Sequence, residues 1–420
     1  MIGRVIGMLC AMTAAAAVGA ADVSVSDCGA VGDGRTKDTA AIQTAIDRAS
    51  AGGGGTVSLA AGTYLSGTIY LKSNVCLRLG PGAVLKGSPD LADYCAADAF
   101  PQNRASSKRG DNTSGGHLIV CANQSNVSIV GPGRIDGNGA AFMRDASGAH
   151  ARSKAEIVGR PGQMVFFADS TDIRITDVEI ADAPYWSCFL LNCDRVTVRG
   201  CFVHTSRRPH TYNGDGIDID RCRWVTVSGC RIDTADDCIT LRASSAARLK
   251  DPHDCAYVTV SDCNLSSSCN AIRPGVGEGS IHDAVFTGLT ISDTRTAVNI
   301  VGAYVKGSRG PDIRGLRFEN LRIDAEQFLK VHHMYARQAQ FDDIVFRGVS
   351  GTVRARAAIR ASVQRPFTRI RFEDVDLPCG YDAVNAETAV RGGTFAEVPL
   401  SESEKARISE EIEANGCLLY

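Results

Sequence analysis

The chain carries almost no net charge. Its 45 lysines and arginines stand against 47 aspartates and glutamates, for a formal net charge of −2. No basic surface is forced, so nucleic acid is not an expected partner. Long apolar runs are missing beyond the N-terminal stretch, which excludes a later membrane-spanning helix. No cysteine pair, and no cysteine–histidine set, has the spacing of a zinc site, so no metal and no other cofactor is expected. The repeat region sustains no 3.6-residue apolar period, which excludes an array of helical repeats.

What is present is ordinary globular composition, 44% hydrophobic and 22% charged. The N-terminus has one early charge, Arg4, then an apolar stretch from Val5 to Val18, then the small residues Gly19, Ala20 and Ala21. This is the pattern of a secretory signal cut after Ala20 or Ala21. The expectation is a signal over residues 1–21 and a secreted or periplasmic protein with no membrane attachment after cleavage. Cysteine is abundant, with 16 in the chain. Loss of Cys10 with the signal leaves an odd number, so at least one thiol stays outside any intramolecular pair. Cys201, Cys230 and Cys263 recur at the same place in successive repeats. That points to a buried ladder of small side chains rather than to crosslinks.

The repeats themselves are plain. Val196-Thr197-Val198-Arg199-Gly200-Cys201 returns as Val225-Thr226-Val227-Ser228-Gly229-Cys230, and again as Val258-Thr259-Val260-Ser261-Asp262-Cys263. The steps are 29 and 33 residues, and looser copies begin near Val127, Ile173, Val285, Leu316, Ile344 and Ile370. Each copy is a short β-branched run with alternating polarity, bounded by Gly, Asn and Asp. Strands this short must stack on their neighbours to bury a face. The expected fold is all-β, a right-handed parallel β-helix, with residues 22–420 forming a single domain. A solenoid needs covered ends. Ile42, Ala45, Ile46 and Ala49 follow helical spacing after Asp38, a candidate N-cap, so a capping helix is expected over about residues 38–50. Ser401 and Glu404 form a capping-box pattern ahead of a charged helix over about 401–415.

Two acidic motifs carry the chemistry. They are Asn213-Gly214-Asp215-Gly216 and Asp236-Asp237-Cys238, and Asp215 and Asp236 lie 21 residues apart. On neighbouring turns, with strands about 4.8 Å apart, three carboxylates would crowd one patch. Hydrolysis of a glycosidic bond uses such a group, an acid on one side and a water-activating base on the other. Strict alternation would bury Asp237 with Ile239 and Leu241, and Asp215 with Ile217 and Ile219. Both aspartates must therefore precede the strand or sit at a bend. Asp218 and Asp220 have outward parity. They are expected to be solvated strand residues, with lining of the cleft as the alternative.

With these motifs the chain resembles glycoside hydrolase family 28, the polygalacturonases and related pectin-degrading enzymes. Cys28 to Gly34, Asp38 to Gln43, Gly54 to Tyr64 and Leu71 to Val75 are similar to the N-terminal part shared by pectin-active β-helices. The resemblance implies an inverting hydrolase of α-glycosidic bonds, acting on an acidic plant cell-wall polysaccharide or its oligosaccharides, as a monomer. It implies Asp236 as the general acid, held protonated by its crowded neighbours. Asp215 and Asp237 would hold and deprotonate the attacking water. Acid and base would stand about 6.5–9.5 Å apart.

The chain also departs from the family pattern. Members carry Gly-His-Gly after the double aspartate, where this chain has Cys269-Asn270-Ala271-Ile272-Arg273. They carry Arg-Ile-Lys in a later turn, where this chain has Ala297-Val298-Asn299-Ile300-Val301. An asparagine cannot supply the charge of a guanidinium that grips a substrate carboxylate. The candidate substrate-binding residues are Asn213, Asn270, Arg273, Asn299 and Arg208, with Arg207, His210, Lys306 and Arg309 as further cations. Attack on rhamnogalacturonan or on chain ends is favoured over cleavage within plain polygalacturonan. The segments 102–116 and 243–254 are candidate loops for closing one end of a cleft. Tyr212, Trp224 and Tyr304 are candidate sugar-stacking residues, and Trp186 is expected in the core or beneath the cleft. A pectate-lyase-like polysaccharide lyase and a non-catalytic carbohydrate-binding solenoid are the alternatives.

Overall fold

A computed structural model of the chain describes residues 21–95, 102, 111–302, 308–333 and 338–415. The proposed signal, Tyr304, Lys306 and most of the 102–116 loop lie outside the described residues.

The middle turns of the chain lay down three short strands each, which merge into longer ones such as Asp312–His332 toward the C-terminus. In one middle turn the three are Ile217–Asp220, Arg223–Ser228 and Arg231–Thr234. In the next they are Ile239–Ala243, Cys255–Ser261 and Asn264–Ser267. Every strand pairs in parallel with its counterpart one turn on, giving a right-handed parallel β-helix with three faces. The repeats stack as their sequences require, Val196 against Val225 and Val225 against Val258. The following copy is offset by one residue from its expected start, because Val258 pairs with Ala284 rather than Val285.

The corner after each second strand explains the recurring Gly or Asp before cysteine. Gly200, Gly229 and Asp262 stack there with φ of 64°, 60° and 55°. Glycine takes that left-handed conformation freely, and Asp tolerates it. Cys201, Cys230 and Cys263 follow it into the interior, each 2% exposed or less. All the described cysteines are free thiols.

Helix α1 (Thr39–Ala51) covers the first turns, with Ile42, Ala45, Ile46 and Ala49 fully buried. Asp38 occupies the N-cap position but does not cap the helix with its side chain. Its carboxylate instead accepts from the Val31 and Gly32 amides at 2.7 and 3.0 Å, tying the preceding loop to the helix. Helix α2 (Glu402–Asn415) follows the capping box as expected. The Ser401 amide donates to Glu404 at 2.8 Å and the Glu404 amide to Ser401 Oγ at 3.3 Å. Ile412 is buried against the last turns. Among the described residues no helix is long and apolar enough to cross a membrane.

Candidate active site

Asp215 and Asp237 each lie two residues before a strand of the first face, at Ile217 and Ile239, and those two isoleucines pair. Both carboxylates thus escape the alternation that would bury them among isoleucines. The glycines of the first motif make this approach possible. A Cβ on Gly214 would stand 2.7 Å from Thr205 Oγ1, and one on Gly216 would run into the Cys238 carbonyl. The Gly216 amide donates to the Asp237 carbonyl at 2.8 Å, and the Asp236 amide to the Gly214 carbonyl at 3.2 Å. Hydroxyls of Thr234 and Ser267 donate to the Asp236 carbonyl at 2.7 and 2.6 Å. The two motifs are therefore fastened backbone to backbone.

Asp236 is half-buried, whereas Asp215 and Asp237 are 2% and 3% exposed. Crowding raises the Asp215 carboxyl. Burial pushes its pKa up, and the charges of Asp236, Asp218 and Asp237 push further against a pull from Arg273. Arg273 sits on the next turn, 7% exposed, with Nε on Asp237 and Nη2 3.9 Å from Asp215. Burial alone would loosen its proton, but Asp237, Asp215 and Asp236 hold it more firmly than in water.

A ladder of amides continues from Asp237. Asn270 Nδ2 donates to Asp237 Oδ1 at 2.6 Å, and Asn299 Nδ2 to Asn270 Oδ1 at 3.2 Å. His332 Nε2 lies 3.1 Å from Asn299 Oδ1. Asn213 accepts from Arg160 Nη2 at 2.8 Å. Arg160 was not singled out in the sequence, which gives no local sign of its role. It is fully buried, and it also donates to the carbonyls of Asp111, Pro184 and Tyr212.

Other candidates fall elsewhere. Arg207 is clamped by Asp293 at 2.9 Å and by the hydroxyls of Ser266 and Ser268 at 2.8 and 3.0 Å. Arg208 is exposed in a turn and makes no hydrogen bond or ion pair with the described residues. Arg309 pairs with Asp312. Trp224 stacks on Tyr257 at 4.3 Å, on an exposed corner. A cation not singled out, Arg295, lies exposed beside the site and donates to Cys269 Sγ at 2.7 Å. With Arg207, Ser268, Asp293 and Arg354 it lines a cavity of about 320 Å³.

Asp218 and Asp220 are not solvated. Both are fully buried, 3.6 and 3.5 Å from the guanidinium of Arg242, which lies 4.6 Å over the Trp186 ring. Outward parity points them away from the solenoid interior, but a second apolar cluster covers that face. It contains Phe166, Tyr185, Trp186 and Phe189, with Leu249 packed against it. Leu249 belongs to the 243–254 loop, which folds back over the earlier turns. Asn192 Nδ2 donates to the Lys250 carbonyl at 2.6 Å, and Arg221 Nη1 to that of His253 at 2.9 Å. The outer side of the first face is thus covered over the earlier turns.

Asp236, Asp237 and Cys269 bring ligand atoms within 4.8 Å of one another. The set does not suit Ca²⁺, which takes six or more oxygen ligands, roughly, and disfavours sulfur. Burial and the two carboxylates also hold the Cys269 thiol well above its usual pKa, in its protonated form.

Residues 98–392 match the model of the glycosyl hydrolases family 28. The chain belongs to that family. A probable polygalacturonase of Vitis vinifera is 29% identical over 228 residues, covering 52% of this chain and 44% of that one. An exo-poly-alpha-D-galacturonosidase of Dickeya chrysanthemi is 27% identical over 277 residues, covering 56% and 44%. The chain therefore matches less than half the length of these two relatives. The hyperthermoactive exopolygalacturonase of Thermotoga maritima superposes with a TM-score of 0.67 over 89% of this chain and 91% of that one. At 17% identity that likeness speaks for the fold.

Proposed function

We propose that this family 28 protein is an exported hydrolase that releases sugars from the ends of acidic pectic chains or oligosaccharides, with inversion at the anomeric carbon. One observation carries the reading. A half-buried carboxyl, Asp236, stands with two buried ones, Asp215 and Asp237, on adjoining turns. In this reading Asp236 protonates the leaving oxygen. Asp215 and Asp237 hold and deprotonate the water, with carboxylate oxygens of Asp236 and Asp237 within 4.8 Å, nearer than the about 6.5–9.5 Å expected of an inverting pair. A sugar resting on Asp236 strips its water, which favours the protonated form that a donor needs.

The covered outer side of the first face favours attack at chain ends, and the Dickeya relative is named as exo-acting. The amides of Asn270 and Asn299 suit hydroxyl groups rather than a carboxylate beside the scissile bond. That favours a substrate whose acidic sugar lies farther away, rhamnogalacturonan-derived oligomers among them. Arg295 is an accessible cation for it. The apolar stretch from Val5 to Val18 supports export.

The test compares the wild type with Asp236→Asn on polygalacturonan, rhamnogalacturonan and oligomers of each. Reducing ends and product sizes are followed. Short products from the wild type alone are expected. Unsaturated products that vanish on chelation would instead establish a lyase. Tight binding without turnover, unaffected by Asp236→Asn, would establish a binding solenoid.

A further inference from the structure

Asp215 and Asp237 occupy equivalent positions on adjoining turns, but their surroundings differ. Both oxygens of Asp237 are engaged, Oδ1 by Asn270 Nδ2 at 2.6 Å and Oδ2 by Arg273 Nε. Among the described residues Asp215 Oδ1 is buried without a hydrogen-bond partner. Its other oxygen has only the flank of Arg273, at 3.9 Å. A guanidinium and an amide thus occupy the lone pairs of Asp237 that an incoming proton would need. A buried carboxylate with an unoccupied oxygen gains most from taking a proton.

We propose that Arg273 is a positioning residue that divides the work of the two carboxylates. With Asn270 it fixes Asp237 as a holder of the attacking water, and it leaves Asp215 Oδ1 to accept the water's proton. The inference rests on the hydrolase reading and deepens it. In the step, the water's O–H bond breaks and its proton passes to Asp215. The oxygen lone pair bonds the anomeric carbon. The glycosidic C–O bond breaks toward the leaving oxygen, which takes the proton of Asp236. Exchange with solvent then resets both carboxyls.

Arg273 is a poor reader of a substrate carboxylate, because two protein carboxylates already flank it and little of it meets solvent. The charged and titratable groups facing the pair are Asp236, Asp218 and Arg273, with Arg160 and the Tyr185 hydroxyl behind Asp215 and the Cys269 thiol beside Asp237. Arg242 answers Asp218. Arg273 is thus the cation in contact with the catalytic carboxylates.

The experiment measures kcat and KM against pH for the wild type, Arg273→Gln and Arg273→Lys on the preferred oligosaccharide. Removing the cation makes the base easier to protonate. The acid limb of kcat/KM should move to higher pH by about 1–3 units in Arg273→Gln, and Arg273→Lys should recover part of the shift. Asn270→Ala removes the other donor on Asp237 and serves if Arg273→Gln does not fold. Its acid limb should move the same way by less. Asp215→Asn should lower kcat at least tenfold more than Asp237→Asn. A limb that stays put while KM for an acidic oligomer rises at constant kcat would make Arg273 a substrate reader and overturn the proposal. So would Asp237→Asn being the more damaging change. Wild-type turnover is recorded in the same assay. Its absence on every pectic substrate sinks the hydrolase reading as well, whereas turnover with an unmoved limb sinks the Arg273 proposal alone.

Discussion

Arg160→Met is the sharpest test of how the first acidic motif is held. The side chain is fully buried, with Tyr185 stacked beneath its guanidinium at 4.6 Å. Its donors serve three carbonyls, those of Asp111, Pro184 and Tyr212, and the amide oxygen of Asn213. Methionine fills most of the volume and donates nothing. Each buried acceptor left bare costs about 1–3 kcal/mol. Relaxation and entering water reduce the total, so a net loss of about 3–5 kcal/mol is expected, as for breaking a buried charged network. At roughly 2 cal/mol/K of unfolding entropy per residue, a cooperative unit of about 400 residues should melt ~4–6 °C lower. Calorimetry measures the shift. Hydrogen exchange should show the amides of residues 211–216 opening first, because the freed carbonyls lie on that side of the loop. The kcat should fall with stability, since Asp215 rides on the same loop. A melting point within a degree of the wild type, with unchanged exchange over that loop, would refute the claim that Arg160 fastens the motif.

Further outcomes follow from the same geometry. Gly216→Ala drives a Cβ into the Cys238 carbonyl and should cost about 1–3 kcal/mol as overpacking, read as a lower urea midpoint with unchanged slope. Arg295→Ala should raise KM for acidic oligomers several-fold and leave kcat nearly unchanged, the mark of lost uniform binding. An unchanged KM would remove it from the substrate path. His333 is fully buried edge-on to Phe341 and Phe367, and burial lowers its pKa to about 4. A folded-state pKa below the unfolded value of about 6.5 gives stability that is complete above that value and is lost as pH falls toward 4, about 3 kcal/mol in all. His333→Leu should therefore flatten the fall in melting temperature between roughly pH 6.5 and 4. An equal fall in both proteins would exclude His333 as its source.

Much of the scaffold was legible because the solenoid repeats its constraints. Identical valines recur where strands must pair, and Gly200, Gly229 and Asp262 recur where the backbone turns left-handed. The approach of the acidic motifs was legible for the same reason, since a 22-residue step brings Ile217 against Ile239. Residues whose roles depend on segments far along the chain were not legible. Arg160 reaches Asn213 from 53 positions away, and Arg207 reaches Asp293 from 86. Nothing local to either arginine announces its partner.

Asp218 and Asp220 show the limit of alternation as a guide to burial. Period two says which side of a strand a residue takes, not whether that side meets water. Here the outer side of the first face is covered by aromatic residues and by the 243–254 loop, so outward aspartates became a buried ion cluster with Arg242. A buried cluster of this kind costs desolvation that its ion pairs repay only in part. A simple groove floor could have been apolar throughout, as it is at Val120, Phe166 and Phe189 on the earlier turns of the same column. The polarity begins only at Asp218, on the turn that carries Asp215, and continues through Thr240 to Arg273 on the turns below. The change from apolar to charged along one column of residues coincides with the catalytic turns. The charges beneath the site are thus placed where they act on the Asp215 and Asp237 carboxylates, and the apolar end is where the outer side is covered.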